Sequence, residues 1–208
     1  MSERRGPRRL AVYTALAAFA AALVITAIAV VTLSRPAGIG GVISSGEALI
    51  GGPFTMTDQD GAPVTEKSLL GKPSILFFGF TYCPEVCPTT LYDMSVMLKA
   101  MGAEAERINA VFVSVDPERD TPQAMRDYLQ AFDPHIRGFS GTPEETRTIA
   151  KAYRVYYKKV PLEDGDYTVD HTALVYLFDA DGKFVAPLNL KQEPEKAAAP
   201  IRALLGES

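Results

Sequence analysis

The chain is poor in the residues that hold metals in number: 208 residues contain two cysteines and two histidines. Two thiolates are too few for a Cys₄ zinc site or an iron–sulfur cluster. No His-Glu-x-x-His stretch occurs, so the Glu-activated zinc hydrolase arrangement is missing. There is no internal repeat, and no low-complexity segment beyond the N-terminal region. Net basic charge is also lacking after the first residues. Residues 1–35 hold five Arg and one Glu, a balance of +4, against −4 for the whole chain, which leaves −8 for the remainder. An acidic remainder of that size argues against a nucleic-acid partner.

Leu10 to Leu33 carries no charged side chain. At ~1.5 Å per residue a helix of that length covers roughly 36 Å, enough for a ~30 Å hydrocarbon core. Arg4, Arg5, Arg8 and Arg9 precede it, and Arg35 follows it. Positive charge stays on the cytoplasmic side, so the rest of the chain is expected across the membrane. A cleaved signal peptide has a shorter apolar region and a small-residue cleavage site, and Ser34-Arg35-Pro36 is a poor one. The expected organisation is a basic cytoplasmic segment (1–9), a transmembrane anchor (10–33), a Gly/Ser-rich tether (34–48) and one folded domain (49–208). The direct passage from a few arginines into the anchor favours a bacterial plasma membrane, single-pass, with the domain on the periplasmic side.

The cysteines are Cys83 and Cys87, in Gly79-Phe80-Thr81-Tyr82-Cys83-Pro84-Glu85-Val86-Cys87-Pro88. The apolar run Ser74–Phe80 reads as a buried strand, and a helix is expected from Pro88 to Met101. A helix N-terminus offers unpaired N–H groups and partial positive charge, which stabilise thiolates. Outside the cytoplasm the first alternative is a structural disulfide, but a loop this short restrains little chain entropy. Leu91, Met94, Leu98 and Met101 share one helical face and read as core rather than as a methionine metal set.

The remaining elements follow from periodicity and capping. Gly52–Asp58 and Pro63–Thr65, around Asp60-Gly61, suggest an edge hairpin. Asn109–Val115 is a second buried strand, followed by the loop Asp116-Pro117-Glu118-Arg119-Asp120. Thr121-Pro122 opens a helix whose inner face is Met125, Tyr128, Leu129 and Phe132. Thr142-Pro143-Glu144-Glu145 is a capping box opening another. A short strand is expected within 155–160, a strong strand over Thr172–Phe178 with a hairpin partner at Lys183–Leu188, and a last helix over Pro194–Leu205. Strands alternating with helices imply parallel pairing and right-handed crossovers. The expected fold is α/β, a central mixed sheet flanked by helices in thioredoxin-like order.

The Cys-x-x-x-Cys spacing is one residue longer than that of a thioredoxin dithiol. It lets the sulfurs spread around an ion while still permitting a disulfide. Soft thiolates select copper(I) or zinc, and a third ligand must come from a histidine. His171 precedes the strong strand, where its start would face the thiols; an ordinary polar role for it stays open. Asp170 is a candidate to orient it. His135, in Asp133-Pro134-His135, reads as a surface loop residue. Zinc with two Cys, one His and a water is chemically possible, but copper suits the set better. Glu85 is either an outer carboxylate or a helix N-terminal residue.

These residues resemble the Sco/SenC family of copper-binding assembly factors. The likeness rests on Gly51-Gly52-Pro53-Phe54, Thr57-Asp58-Gln59-Asp60-Gly61, the stretch from Gly79 to Pro88, Ser114-Val115-Asp116-Pro117-Glu118-Arg119-Asp120-Thr121-Pro122, and Tyr167-Thr168-Val169-Asp170-His171-Thr172. It implies a thioredoxin-like domain with Cys83, Cys87 and His171 as ligands of copper(I) or copper(II). It further implies a role in building the dinuclear copper centre of cytochrome c oxidase, with the copper-bearing oxidase subunit and a copper donor protein as partners. Family members often have Asp where Glu85 stands. The Asp116–Pro122 loop matches without a chemical role to carry over. Three activities compete: a copper metallochaperone, a thiol–disulfide reductase keeping the oxidase copper-site cysteines reduced through Cys83 and Cys87, and a peroxiredoxin-like peroxidase. The last lacks its Pro-x-x-x-Thr/Ser-x-x-Cys frame.

Overall fold

The computed structural model describes residues 50–163 and 165–206. The expected anchor and tether lie outside the described residues. Among those described, no helix is long and apolar enough to cross a membrane.

Two short strands, β1 (Thr55–Asp58) and β2 (Pro63–Thr65), form the expected antiparallel edge hairpin. Asp58 fastens its turn: Oδ1 accepts from the N–H groups of Asp60 and Ala62. A 3₁₀ turn capped by Thr65 then leads to β3 (Ser74–Gly79), whose residues are all buried. Continuous apolar character fits a strand covered on both faces. Helix α1 (Val86–Met101) follows, and β4 (Asn109–Ser114) pairs parallel to β3. Helix α2 (Pro122–Leu129) starts at the Thr121 cap, so Phe132 lies beyond its end.

The sequence reading lacked the next strand, β5 (Ile136–Ser140), which pairs parallel to β4 and antiparallel to β1. Its Gly138 sits under α2, where an added Cβ would lie 2.7 Å from Leu129 Cδ1. A five-residue run containing Arg137 and Gly138 has too little apolar pattern to announce a strand. Helix α3 (Pro143–Ala152) carries the expected Thr142–Glu145 capping box.

The strand expected over Thr172–Phe178 is shorter, and a further strand that the sequence did not announce precedes it. The chain forms a hairpin from β6 (Tyr157–Pro161) and β7 (Tyr167–His171), crosses Thr172–Leu174 without regular pairing, and enters β8 (Val175–Phe178). Strand β9 (Phe184–Leu188) and helix α4 (Pro194–Gly206) complete the domain. The large sheet has seven strands in the order β2-β1-β5-β4-β3-β8-β9, and β6-β7 form a separate pair.

The sheet is mixed: β3, β4 and β5 run parallel, with β8 antiparallel to β3. Two successive right-handed crossovers place α1 and α2 on one face. That face carries Gly79 against Cys87, and Phe112 against Tyr128. The opposite face holds an aromatic cluster in which Tyr153, just after α3, meets Phe54, Phe78 and Phe178. Helices on both sides of a mixed sheet match the expected architecture.

Candidate metal centre

Gly79 ends β3, and Phe80–Cys83 turn, with the Cys83 N–H donating to the Phe80 carbonyl at 3.2 Å. Helix α1 begins at Val86, two residues earlier than the sequence suggested, so Cys87 belongs to its first turn. It heads the buried stripe Leu91, Met94, Leu98 and Met101, which confirms that the methionines are core. Glu85, at the N-cap, makes no side-chain capping bond. A sulfur acts instead: the Cys87 N–H donates to Cys83 Sγ at 3.4 Å. An orphan helix donor thereby meets an acceptor that gains from negative charge.

Both thiols are free; Cys83 is half-buried and Cys87 fully buried. The Cys83 thiol is held down to about 5. The Cys87 thiol donating to it is the largest cause; burial opposes, and the N–H groups of Cys87 and Glu85 and the His171 side chain assist. Cys87 is pushed up by the same hydrogen bond and by burial. The pair therefore holds one thiolate at Cys83 and one proton at Cys87. Gly79 makes room for them, since a Cβ there would lie 2.6 Å from Cys87 Sγ and 2.8 Å from Phe112 Cε2.

His171 is the last residue of β7 rather than the first of a core strand. Its Nε2 lies 3.5 Å from Cys87 Sγ. Its Nδ1 lies 3.1 Å from the Thr172 carbonyl, which can only accept, so Nδ1 bears a proton there while Nε2 faces the sulfurs. The ring packs edge-on against Phe80 at 5.7 Å and Phe77 at 6.4 Å. Asp170, the expected orienting group, is exposed, because strand alternation turns it away from His171. The Thr172 carbonyl takes that task.

One donor atom from each of Cys83, Cys87 and His171 lies within 4.8 Å of the others. Two sulfurs and an imidazole form a soft, three-donor set that fits copper(I). Among the described residues no other acidic, His or Cys group of three or more has this closeness. His135 stands apart, exposed and paired to Asp133 at 2.6 Å.

The loop between β4 and α2 does more than turn the chain. Asp120, buried, accepts from Thr81 Oγ1 at 2.6 Å, the Thr81 N–H at 3.1 Å and Ser114 Oγ at 2.6 Å. It thus anchors the entry to the cysteine turn. Asp116, fully buried, accepts from Tyr167 Oη at 2.8 Å and Arg119 Nε at 2.5 Å. It thus anchors the hairpin that ends in His171. Sequence reasoning treated this loop as a simple connection, because both carboxylates find their partners in distant parts of the chain.

A family model described as SCO1/SenC matches residues 43–206. The chain belongs to the SCO1/SenC family. Protein SCO1 homolog 1, mitochondrial, of Arabidopsis thaliana is 46% identical over 143 residues, covering 68% of this chain and 43% of that protein. The chain spans about half the length of the curated relatives it matches. The solved structure of Bradyrhizobium japonicum ScoI with copper bound is 59% identical, with a TM-score of 0.73, covering 74% of this chain and 99% of that one. BsSco, described as a Sco-family cytochrome c oxidase assembly protein with a disulfide switch, is 25% identical with a TM-score of 0.58, covering 74% of this chain and 91% of that one. Sco relatives thus reproduce the fold, and at least one has been solved with copper.

Proposed function

We propose that this SCO1/SenC protein is a membrane-anchored copper metallochaperone serving assembly of the dinuclear copper centre of cytochrome c oxidase. Cys83, Cys87 and His171 hold the ion. The observation that carries this reading is the convergence of their donor atoms within 4.8 Å. Copper in a Sco relative and oxidase assembly in another support it. The ion is cargo: it arrives from a donor protein and leaves to the copper-bearing oxidase subunit by exchange of ligands. The anchor at 10–33 would keep the domain on the periplasmic side of a bacterial plasma membrane, near that subunit.

Binding copper(I) requires both sulfurs reduced and the Cys87 proton displaced. Copper titration of the full chain in detergent tests this, with X-ray absorption reporting sulfur and nitrogen neighbours. One copper per reduced chain and none after oxidation to the disulfide is expected. Equal loading of both forms sinks the proposal.

A half-buried thiolate beside a buried thiol also favours a second reading, a thiol–disulfide reductase. Cys83 would attack a target disulfide and release one target thiolate. Cys87, deprotonated, would then attack Cys83 Sγ, release the second and leave the Cys83–Cys87 disulfide. This route needs no imidazole, so a His171 variant separates the two.

A further inference from the structure

The hairpin carrying His171 has little of its own to hold it in place. It is a two-stranded sheet separate from the seven-stranded one, and an isolated pair of strands is marginal in water. Every residue of β6 is at least partly exposed, and in β7 only Val169 is fully buried. Yet the Nε2 of its last residue reaches the thiols.

We propose that Arg119 is a positioning residue that seats this hairpin on the cysteine turn and so places His171 in the site; the inference rests on the copper-site reading above. The Arg119 guanidinium lies over the Tyr167 ring at 3.8 Å and over the Tyr82 ring at 4.6 Å. Tyr82 precedes Cys83 in the cysteine turn, and Tyr167 opens β7. Arg119 Nη1 donates to the Tyr167 carbonyl at 3.0 Å and to Asp166 at 3.3 Å, while Nε donates to buried Asp116 at 2.5 Å. Tyr167 Oη donates to the other oxygen of the same carboxylate at 2.8 Å. Arg119, Asp116 and Tyr167 thus close a ring of contacts that spans the loop after β4, the hairpin and the cysteine turn.

Geometry carries this seat to the imidazole. Tyr167, Val169 and His171 occupy alternate positions of one strand and share a face. Fixing Tyr167 at one end of that stripe, with Val169 buried between, sets the position of His171 at the other. Phe80 completes the circuit, packing on His171 at 5.7 Å with Arg119 5.9 Å from its ring. Arg119 Nη2 is buried with no hydrogen-bond partner. A residue present only to neutralise Asp116 would turn that nitrogen to water; stacking on two rings requires it inside. Lysine cannot substitute, because a point ammonium offers neither the planar face nor the fork.

The test is a double-variant cycle in the full chain. Copper(I) affinity is measured by competition with a chromophoric chelator for wild type, Arg119→Gln, His171→Ala and the double variant. Hydrogen exchange over 157–171 is followed in the metal-free protein. Loss of Arg119 is expected to weaken copper about tenfold, the lower end of the range for outer-sphere residues, and by less than about twofold once His171 is absent. Hairpin amides should exchange faster while β3 and β4 are unchanged, and Arg119→Lys should behave like Arg119→Gln. Equal losses with and without His171, or unaltered hairpin exchange, overturn the proposal. Should Arg119→Gln fail to fold, Tyr167→Phe removes a single hydroxyl and is expected to show the same dependence on His171 at a smaller scale, about threefold; no loss overturns it. Wild-type protein that binds no copper refutes the copper reading instead, while the exchange measurement still judges the seat.

Discussion

His171 Nε2 stands 3.5 Å from Cys87 Sγ although 84 positions separate the two residues in the chain. Nothing local brings them together. The β3–α1 junction delivers the sulfur and the β6–β7 hairpin delivers the ring. The contact is a product of the tertiary fold, and its removal has a specific consequence.

Replacing His171 by alanine leaves two sulfurs and no nitrogen. Loss of an outer-sphere partner typically weakens metal binding about 10–100-fold, so loss of a ligand itself is expected to exceed that range for copper. The dithiol should still oxidise to a disulfide. Chelator competition and thiol titration on the same samples check both halves.

Cys83 and Cys87 should differ sharply toward an alkylating reagent in metal-free, reduced protein. With the Cys83 thiol held at about 5, its thiolate persists at pH 6 and declines as pH falls through 5. Iodoacetamide labelling followed by mass spectrometry should mark Cys83 first, with half-maximal rate near pH 5. Cys87→Ala removes the largest stabilising hydrogen bond and should move that midpoint upward.

Gly79→Ala would thrust a methyl group to 2.6 Å from Cys87 Sγ and 2.8 Å from the Phe112 ring. Neither neighbour can withdraw, since one heads a helix and the other lies in the sheet interior. Overpacking of this kind costs about 1–3 kcal/mol. Urea unfolding should register that loss, and copper affinity should fall with it because the sulfur is displaced.

Asp58 gives the domain an acid-sensitive edge. Burial pushes its carboxyl up, but the Ala62 and Asp60 N–H groups and Arg137 outweigh that and hold it below the usual range. A depressed carboxylate contributes stability that is complete above its unfolded value, ~3.9, and lost as pH falls through the folded value. Asp58→Asn should lower stability at neutral pH by about 1–3 kcal/mol and flatten the decline below pH 4. Thermal unfolding across pH 2–7 measures both.

The cysteine turn was legible because its residues are contiguous and sit between a solid apolar run and a helix. His171 was reached by elimination among two histidines, even though its strand was assigned wrongly. Thr172–Phe178 is apolar enough to look continuous, and no local signal marks the break before Val175. Asp170 looked suitable for its adjacency, yet a period of two sends neighbouring side chains to opposite faces. The Asp116–Asp120 loop was opaque for another reason. Its partners, Thr81 and Tyr167, are 39 and 51 positions away, and polar pairings across such distances leave no periodicity to read.

The two sulfurs meet solvent unequally. Cys87 is enclosed by Gly79, Phe112 and the imidazole, whereas Cys83 lies partly open at the rim. Under the proposed function, an acceptor coming from outside encounters the Cys83 sulfur before the Cys87 sulfur, and the buried sulfur keeps its grip until a new bond has formed. Of the two sulfurs the outer one lets go first at hand-over, so the order of bond breaking between them follows from which stands at the rim.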